Sequence, residues 1–462
     1  LKNEAKQKPR FLLCVLKKAM DGLFQQPVRS LQHGGCPMVQ KARRFYFLLI
    51  ALLTLAHAGP AIAVTYYVAP NGNDDANGSL SSPFQTLTNV VRIVQPGDVI
   101  EVRAGTYAGG IVISRPGTKD AWITIRPYKK EKVIIDGENK PITIYFYHGN
   151  FVPLYWTMEG LEVKGGGYVV KIDTPRVKLL NNNLHSSTED IVKVVKTADE
   201  AVIYGNEIHH NNARNGANAQ GVDIMGANNV WVAHNYVHDI PSIALYAKGN
   251  ASHTVFENNR VENIYARGIM LGQSSGRQFL DPNKPYESYD GIIRNNMIKN
   301  VGGACLATAS SWNAKIYNNT CYNVASELNG AIFVSNESEL GQAGTNIEIK
   351  NNIIVAQGNR PMVHIAVNAM TDDATLNIDG NVYWTAKGGQ AVTFSWDRGA
   401  GESKPSSPAF WAITFAKWKS MTGKDATSIV ADPEQHKLNT QAGARISCTG
   451  VLCSDGLAAR TQ

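Results

Sequence analysis

Eight asparagines recur in one local frame: Asn182, Asn206, Asn235, Asn259, Asn296, Asn319, Asn352 and Asn381. Three places before each stands an apolar residue (Leu179, Ile203, Val232, Phe256, Ile293, Ile316, Ile349, Ile378). Two places after stands another (Leu184, Ile208, Val237, Val261, Ile298, Cys321, Ile354, Tyr383). The intervals are 24, 29, 24, 37, 23, 33 and 29 residues. A floor of about 23 residues, apolar alternation and an Asn at each bend predict an all-β chain wound as a parallel β-helix. Stacked coils let each side-chain amide bond the ones above and below it, as an asparagine ladder. Asn also tolerates the left-handed backbone that a sharp bend requires.

The chain ahead of this repeat reads differently. Met38 opens MVQKARRFYFLLIALLTLAHAGPAIA, with Lys41, Arg43 and Arg44 before an apolar run and Ala61-Ile62-Ala63 as a small-residue cleavage site. Residues 38–63 are therefore expected to be a signal peptide, with export and a mature chain from about Val64. Residues 1–37 read as an upstream or non-native extension. The cut changes the charge balance. Residues 1–63 hold ten Lys/Arg and two Asp/Glu, so the rest carries 35 basic against 36 acidic residues, and a formal +7 becomes −1. The basic balance belongs to the leader and argues for no nucleic-acid partner. No second apolar span of transmembrane length follows. The chain is expected to work as a monomer.

Residues 64–120 form an N-terminal capping module. A strand from Tyr66 to Ala69 leads to helical spacing over Phe84–Val94, a stop at Pro96-Gly97, and a strand from Val99 to Arg103. A helix there would cover the open edge of the first coil. The β-helix occupies 121–396, and 397–462 is a C-terminal cap in which Trp411, Phe415 and Trp418 keep helical spacing. Residues above the coil floor fall near Asn211–Gln220, Gln273–Tyr289 and Asn336–Thr345, as loops on one face. Cys448 and Cys453 are expected to close a small disulfide loop. Cys305 and Cys321, at apolar positions of one coil, read as buried thiols.

Candidate chemistry gathers in Gly221–Gln273. Lys248 ends the strand Ile243–Ala247 and precedes Gly249. Strict alternation turns it inward if Leu245 faces out, so a bend at Gly249 would be needed to free it. A lysine in a crowded groove can act as a base. Strand alignment puts Lys196, Gly226 and Gln273 in its column. Arg267 could hold a carboxylate through paired hydrogen bonds. Asp223, between Val222 and Ile224, is expected to point outward to substrate, as are Arg277 and Lys196. Tyr246 and His234 are candidate acids. His185, His209 and His238 each lie three residues after a repeat Asn, with His210 and Asp239 alongside. They should stack about one strand spacing apart, and they read as filler after the bend rather than as metal ligands.

The run YYVAPNGND…SPFQTL…VQPGDVIEVRAGTY, then AWITIRPY…KVIIDG, resembles the opening of secreted right-handed β-helix proteins of the pectate-lyase-like and chondroitinase-B/alginate-lyase-like superfamily. The resemblance implies an exported carbohydrate-active protein, most simply a polysaccharide lyase on an acidic, uronate-containing polymer. IALYAKGN…FENN is similar in outline to the catalytic-lysine coil of the chondroitinase-B/alginate-lyase family. That family binds Ca²⁺ through paired glutamates, where this chain has Pro241 and Ile243, and it carries an Arg where Gln273 stands. Ca²⁺ stays open as a cofactor, without its usual ligand pattern. A glycoside hydrolase needs two carboxylates on one groove, and Asp223 with Asp239 or Glu262 are split between faces by the alignment. A non-catalytic carbohydrate-binding solenoid is the third reading.

Overall fold

The computed structural model describes residues 63–434 apart from 274, 337, 338, 340 and 398–412. The expected leader, Trp411 and the Cys448–Cys453 loop lie outside the described residues. Among the described residues the chain winds through three sheets of 12 strands each. Each coil adds one strand to every sheet. In the central coils the first sheet takes the strands before each repeat Asn (Val177–Leu180, Val202–Tyr204, Trp231–Ala233), and the second takes those after it (Asn183–His185, Glu207–His209, Tyr236–Ile240). The third takes Val192–Val194, Val222–Met225, Ile243–Lys248 and Arg267–Gly272. Pairing between coils is parallel. Leu179 pairs with Ile203, Ile203 with Val232 and Val232 with Phe256, so one inward position stacks on itself. All four side chains are fully buried. Apolar alternation along a strand thus becomes a continuous apolar column along the axis.

The repeat asparagines line the corner between the first two sheets. Nδ2 of Asn182 donates to Oδ1 of Asn206 at 3.0 Å, and the pattern runs on through Asn235, Asn259, Asn296, Asn319, Asn352 and Asn381. Each Oδ1 also accepts the backbone N–H of the preceding Asn in the stack, for example Asn182 N–H to Asn206 at 2.9 Å. The left-handed backbone sits one place earlier than the spacing suggested. Asn181, Gly205, His234, Asn258, Asn295, Asn318, Asn351 and Gly380 have φ between 53° and 69°. The bend and the stack are thus divided between two adjacent residues.

The first coil is closed by a helix shorter than predicted, Leu87–Val90, capped by Thr86 and burying Leu87 and Val90. At the other end the helix Phe415–Thr422 lays Trp418 on Phe394, with ring centroids 5.0 Å apart, and Phe415 on the same ring at 5.5 Å. Cys305 and Cys321 are not thiols: they form a disulfide, Cα atoms 6.2 Å apart. Spacing showed only two inward positions. The fold sets them on neighbouring sheets across one corner, within bridging distance. Among the described residues no helix is long and apolar enough to cross a membrane.

Candidate active site

The outer face of the third sheet carries a cluster of charged side chains in register. Lys193 pairs with Asp223, Asp223 with Tyr246 and Tyr246 with Met270. Their neighbours along each strand (Val192, Val194, Val222, Ile224, Leu245, Ala247) point into the core. Leu245 therefore faces in, which puts Tyr246 and Lys248 on the outer face without any bend. Lys248 pairs with Met225, and Ala247 with Leu271. Gln273 consequently stands one place past the register partner of Lys248, already in the turn.

Asp223 does face outward, but it is fully buried. The Lys193 ammonium contacts its Oδ2, lies 3.1 Å from Asp190 Oδ2, and so joins two buried carboxylates. Lys248 Nζ lies 3.9 Å from the same Asp223 oxygen and 4.4 Å from the centroid of the Tyr246 ring. Burial, and then the charge of Asp223, push the Asp190 carboxyl up to about 7. Burial works against the Lys193 charge, yet Asp223 and Asp190 hold this ammonium above its ordinary range. Asp190, Lys193 and Glu287 were not singled out in the sequence. Lys193 sits in the strand IVKVV, where one charge between valines was its sole signal.

Above this floor opens a cleft of about 320 Å³, lined in part by Tyr246, Lys248, Arg267, Gln273, Gln220 and Asn218. Arg267 NH1 donates to Gln273 Oε1 at 2.7 Å, and the Tyr246 hydroxyl donates to the same oxygen at 3.4 Å. The insertion 211–220 supplies one wall. The insertion after Gln273 is tied to the turn that follows Lys248. The buried Glu287 carboxylate accepts Gly249 N–H at 3.0 Å and Ser275 N–H at 2.9 Å, and Asn250 Nδ2 donates to the carbonyls of Lys284 and Tyr286. These bonds fix where Lys248 ends its strand.

The cleft thus collects Lys248, Tyr246 and Arg267, with Asp223 beneath. Three other predicted residues lie elsewhere. His234 is the left-handed bend residue of its coil, exposed and packed on Tyr204 at 4.9 Å, because that corner turns its side chain away from the third sheet. Lys196 is exposed at the turn after Val192–Val194 and does not line the cleft. Arg277 is exposed in the second insertion, where its backbone N–H and guanidinium bond Glu339. Asp239 and Glu262 belong to second-sheet strands, away from Asp223. Ca²⁺ takes six to eight oxygen ligands. The carboxylates nearest Lys248 already hold an ammonium between them, so the cleft residues do not fit that ion.

Residues 66–231 match the family described as Pel9A-like, right handed beta helix region. The resemblance to pectate-lyase-like right-handed β-helix proteins is borne out by this match. The chain is 41% identical over 87 residues to pectate lyase PEL9 of Emericella nidulans, covering 18% of this chain and 21% of that protein. It is 28% identical over 113 residues to pectate lyase L of Dickeya dadantii, covering 22% of this chain and 27% of that one. The matched stretches thus span about a fifth to a quarter of these relatives. Among solved structures, the GH136 lacto-N-biosidase from Eubacterium ramulus superposes with a TM-score of 0.51 at 14% identity, covering 74% of this chain and 66% of that one. That likeness shows the shared fold.

Proposed function

We propose that this right-handed β-helix is an exported polysaccharide lyase that cleaves a uronate-containing polymer by β-elimination. The observation that carries the proposal is the convergence of Lys248, Tyr246 and Arg267 on one cleft. In that reaction a base takes the proton on the carbon α to the uronate carboxylate. The electron pair forms a carbon–carbon double bond, the glycosidic C–O bond breaks, and the leaving oxygen takes up a proton. Lys248 is the base of this reading. Arg267, oriented by Gln273, pairs with the carboxylate and steadies the charge that develops on it. The Tyr246 hydroxyl, sharing Gln273 with Arg267, is the proton donor to the leaving oxygen in this reading. The similarity to two pectate lyases supports the reaction class, and the disulfide supports export, since such bonds persist in oxidising compartments. A hydrolase is the weaker reading: Asp223 has no exposed surface with which to reach a glycosidic oxygen.

Incubation with pectate, alginate and chondroitin tests the proposal. A rise in the ultraviolet absorbance of an unsaturated uronate is the expected result. New reducing ends without that absorbance would turn the assignment to a hydrolase, and no product from any uronate polymer would remove the lyase.

A further inference from the structure

A second cluster of side chains lies on the second sheet and takes no part in the elimination. His185, His209 and His238 occupy the same outward position in three successive coils. Their rings stack face to face with centroids 4.8 Å apart at both steps. The next position along holds Ser186, His210, Asp239, Asn263, Asn300 and Asn323, all in left-handed backbone. In the later coils that position is a plain amide chain, with Asn323 donating to Asn300, Asn300 to Asn263 and Asn263 to Asp239. It departs from amides where the histidines stack. His210 and Asp239 therefore sit side by side at the edge of the stack.

We propose that His210, His238 and Asp239, whose ligand atoms all lie within 4.8 Å of one another, form a binding site for one divalent transition-metal ion. The outer hydrogen bonds orient the rings. His209 Nε2 lies 2.8 Å from Asn183 Oδ1 and His238 Nε2 lies 3.2 Å from Glu207 Oε1. Both partners are acceptors, so each Nε2 carries its proton and each Nδ1 is turned to the opposite edge. Such a partner on the far nitrogen is the usual support of a metal-bound imidazole. On the inner edge, His209 Nδ1 is 2.5 Å from His210 Nδ1, and His238 Nδ1 is 2.6 Å from Asp239 Oδ2. His210 Nε2 is 3.8 Å from the same carboxylate oxygen.

Two features of this edge suit a cation. His238 faces a carboxylate at each nitrogen, while a neutral imidazole has a single N–H, so a second proton or a metal ion belongs at the other contact. With the His209 proton on Nε2, His209 Nδ1 accepts from His210 Nδ1–H, and this leaves the His210 Nε2 lone pair on the side of the Asp239 oxygen. A tetrahedral ion with bonds of about 2.0–2.1 Å holds its ligands about 3.3 Å apart. His238 Nδ1 and His210 Nε2 stand 2.6 and 3.8 Å from one Asp239 oxygen, on either side of that value, so small rotations of the exposed His210 bring its Nε2 into place. Two imidazoles and one carboxylate, with a fourth position left to solvent, suit Zn²⁺, Ni²⁺ or Cu²⁺ over Mg²⁺ or Ca²⁺, which prefer oxygen. Asp239 also lines a polar cleft of about 540 Å³, which gives an ion access from solvent.

The test uses the full chain without a histidine tag, stripped with chelator, and titrated with Zn²⁺ by calorimetry and with Co²⁺ by visible absorption. One ion per chain and a tetrahedral Co²⁺ spectrum are expected. His210→Ala and Asp239→Asn should each weaken Zn²⁺ binding by at least the roughly 10–100-fold that a lost outer partner costs. His253→Ala, on another corner, should leave it unchanged. Absence of saturable binding, or equal affinity in His210→Ala and the parent with both folded by circular dichroism, would overturn the site. The two variants alter different ligands, so a folding defect in one leaves the other to decide. Uronate cleavage is not part of the readout, so the result stands apart from the lyase assignment.

Discussion

The Lys193 ammonium rests against Oδ2 of Asp223, a carboxylate with no exposed surface, and reaches Asp190 on its other side. Removing the cation would strand two buried carboxylates beside each other. Breaking a buried ion pair from one side costs about 3–5 kcal/mol. Lys193→Met should lose that much in denaturant unfolding. Adding Asp190→Asn and Asp223→Asn to the same chain should recover most of it.

Lys248 and Arg267 should separate kinetically. A general base contributes roughly 10²–10⁴-fold. Lys248→Ala is expected to lower kcat by that factor while circular dichroism stays unchanged. Arg267→Lys keeps the charge but loses the planar fork, so its larger effect should fall on KM for uronate polymers. Initial-rate kinetics on the active polymer check both.

Asn259 provides the acceptor for the backbone N–H and the Nδ2 of Asn235, at 3.0 Å each. Asn259→Ala would leave the Asn235 backbone N–H buried without this acceptor, while Nδ2 keeps the carbonyls of Ile203 and Ala233. An orphaned buried group costs about 1–3 kcal/mol. The variant should lose at least that in chemical denaturation. Asn263→Ala, in the outer amide chain, should stay within about 0.5 kcal/mol of the parent.

Burial lowers the His364 imidazole to about 4, against about 6.5 in an unfolded chain. A depressed folded value means that the unfolded state takes up the proton first. The stability this group contributes is present above about pH 6.5 and is lost progressively as pH falls toward 4. Thermal melts across this window should show the decline, and His364→Gln should flatten it.

The Cys305–Cys321 bond closes a short loop, with a sequence separation of 16. A loop of about 15 residues is worth about 3 kcal/mol in the unfolded chain. Replacing both cysteines by serine, or unfolding in excess reductant, should reveal a loss of that order.

The coil architecture was legible because it is a periodic property: each repeat Asn occupies one corner position, and the apolar residues around it face the core. Residues defined by that period, such as the His185–His209–His238 stack, could be placed in register from spacing alone. What lies between the periodic positions was less legible. The facing of Lys248 depended on which of Leu245 and Tyr246 meets the core, and alternation is blind to that choice. Lys196, Gly226 and Gln273 do share a column, but the register of Ala247 with Ile224 and Leu271 puts Gly249 in it, one place past Lys248. The Lys193–Asp223 pair and the disulfide join side chains 30 and 16 residues apart, a closeness that coil-to-coil contact creates and local pattern does not report.

The amide stack has a direction. Every Nδ2 from Asn182 to Asn352 gives its proton toward the C-terminal end, and Asn381 passes it on, at 3.5 Å, to the buried Asp425, which also accepts from Trp418 and Tyr383. The side-chain dipoles therefore line up head to tail like the turns of a one-way screw. The two ends are chemically unequal. Trimming coils from the N-terminal side would leave a carbonyl oxygen facing outward, which a water or a new backbone N–H satisfies readily. Trimming from the C-terminal side would remove the carboxylate on which the procession ends. The C-terminal cap is in this sense the anchor for a polarity that runs the length of the solenoid, and coil grafts should respect it by keeping Asp425 with the last asparagine.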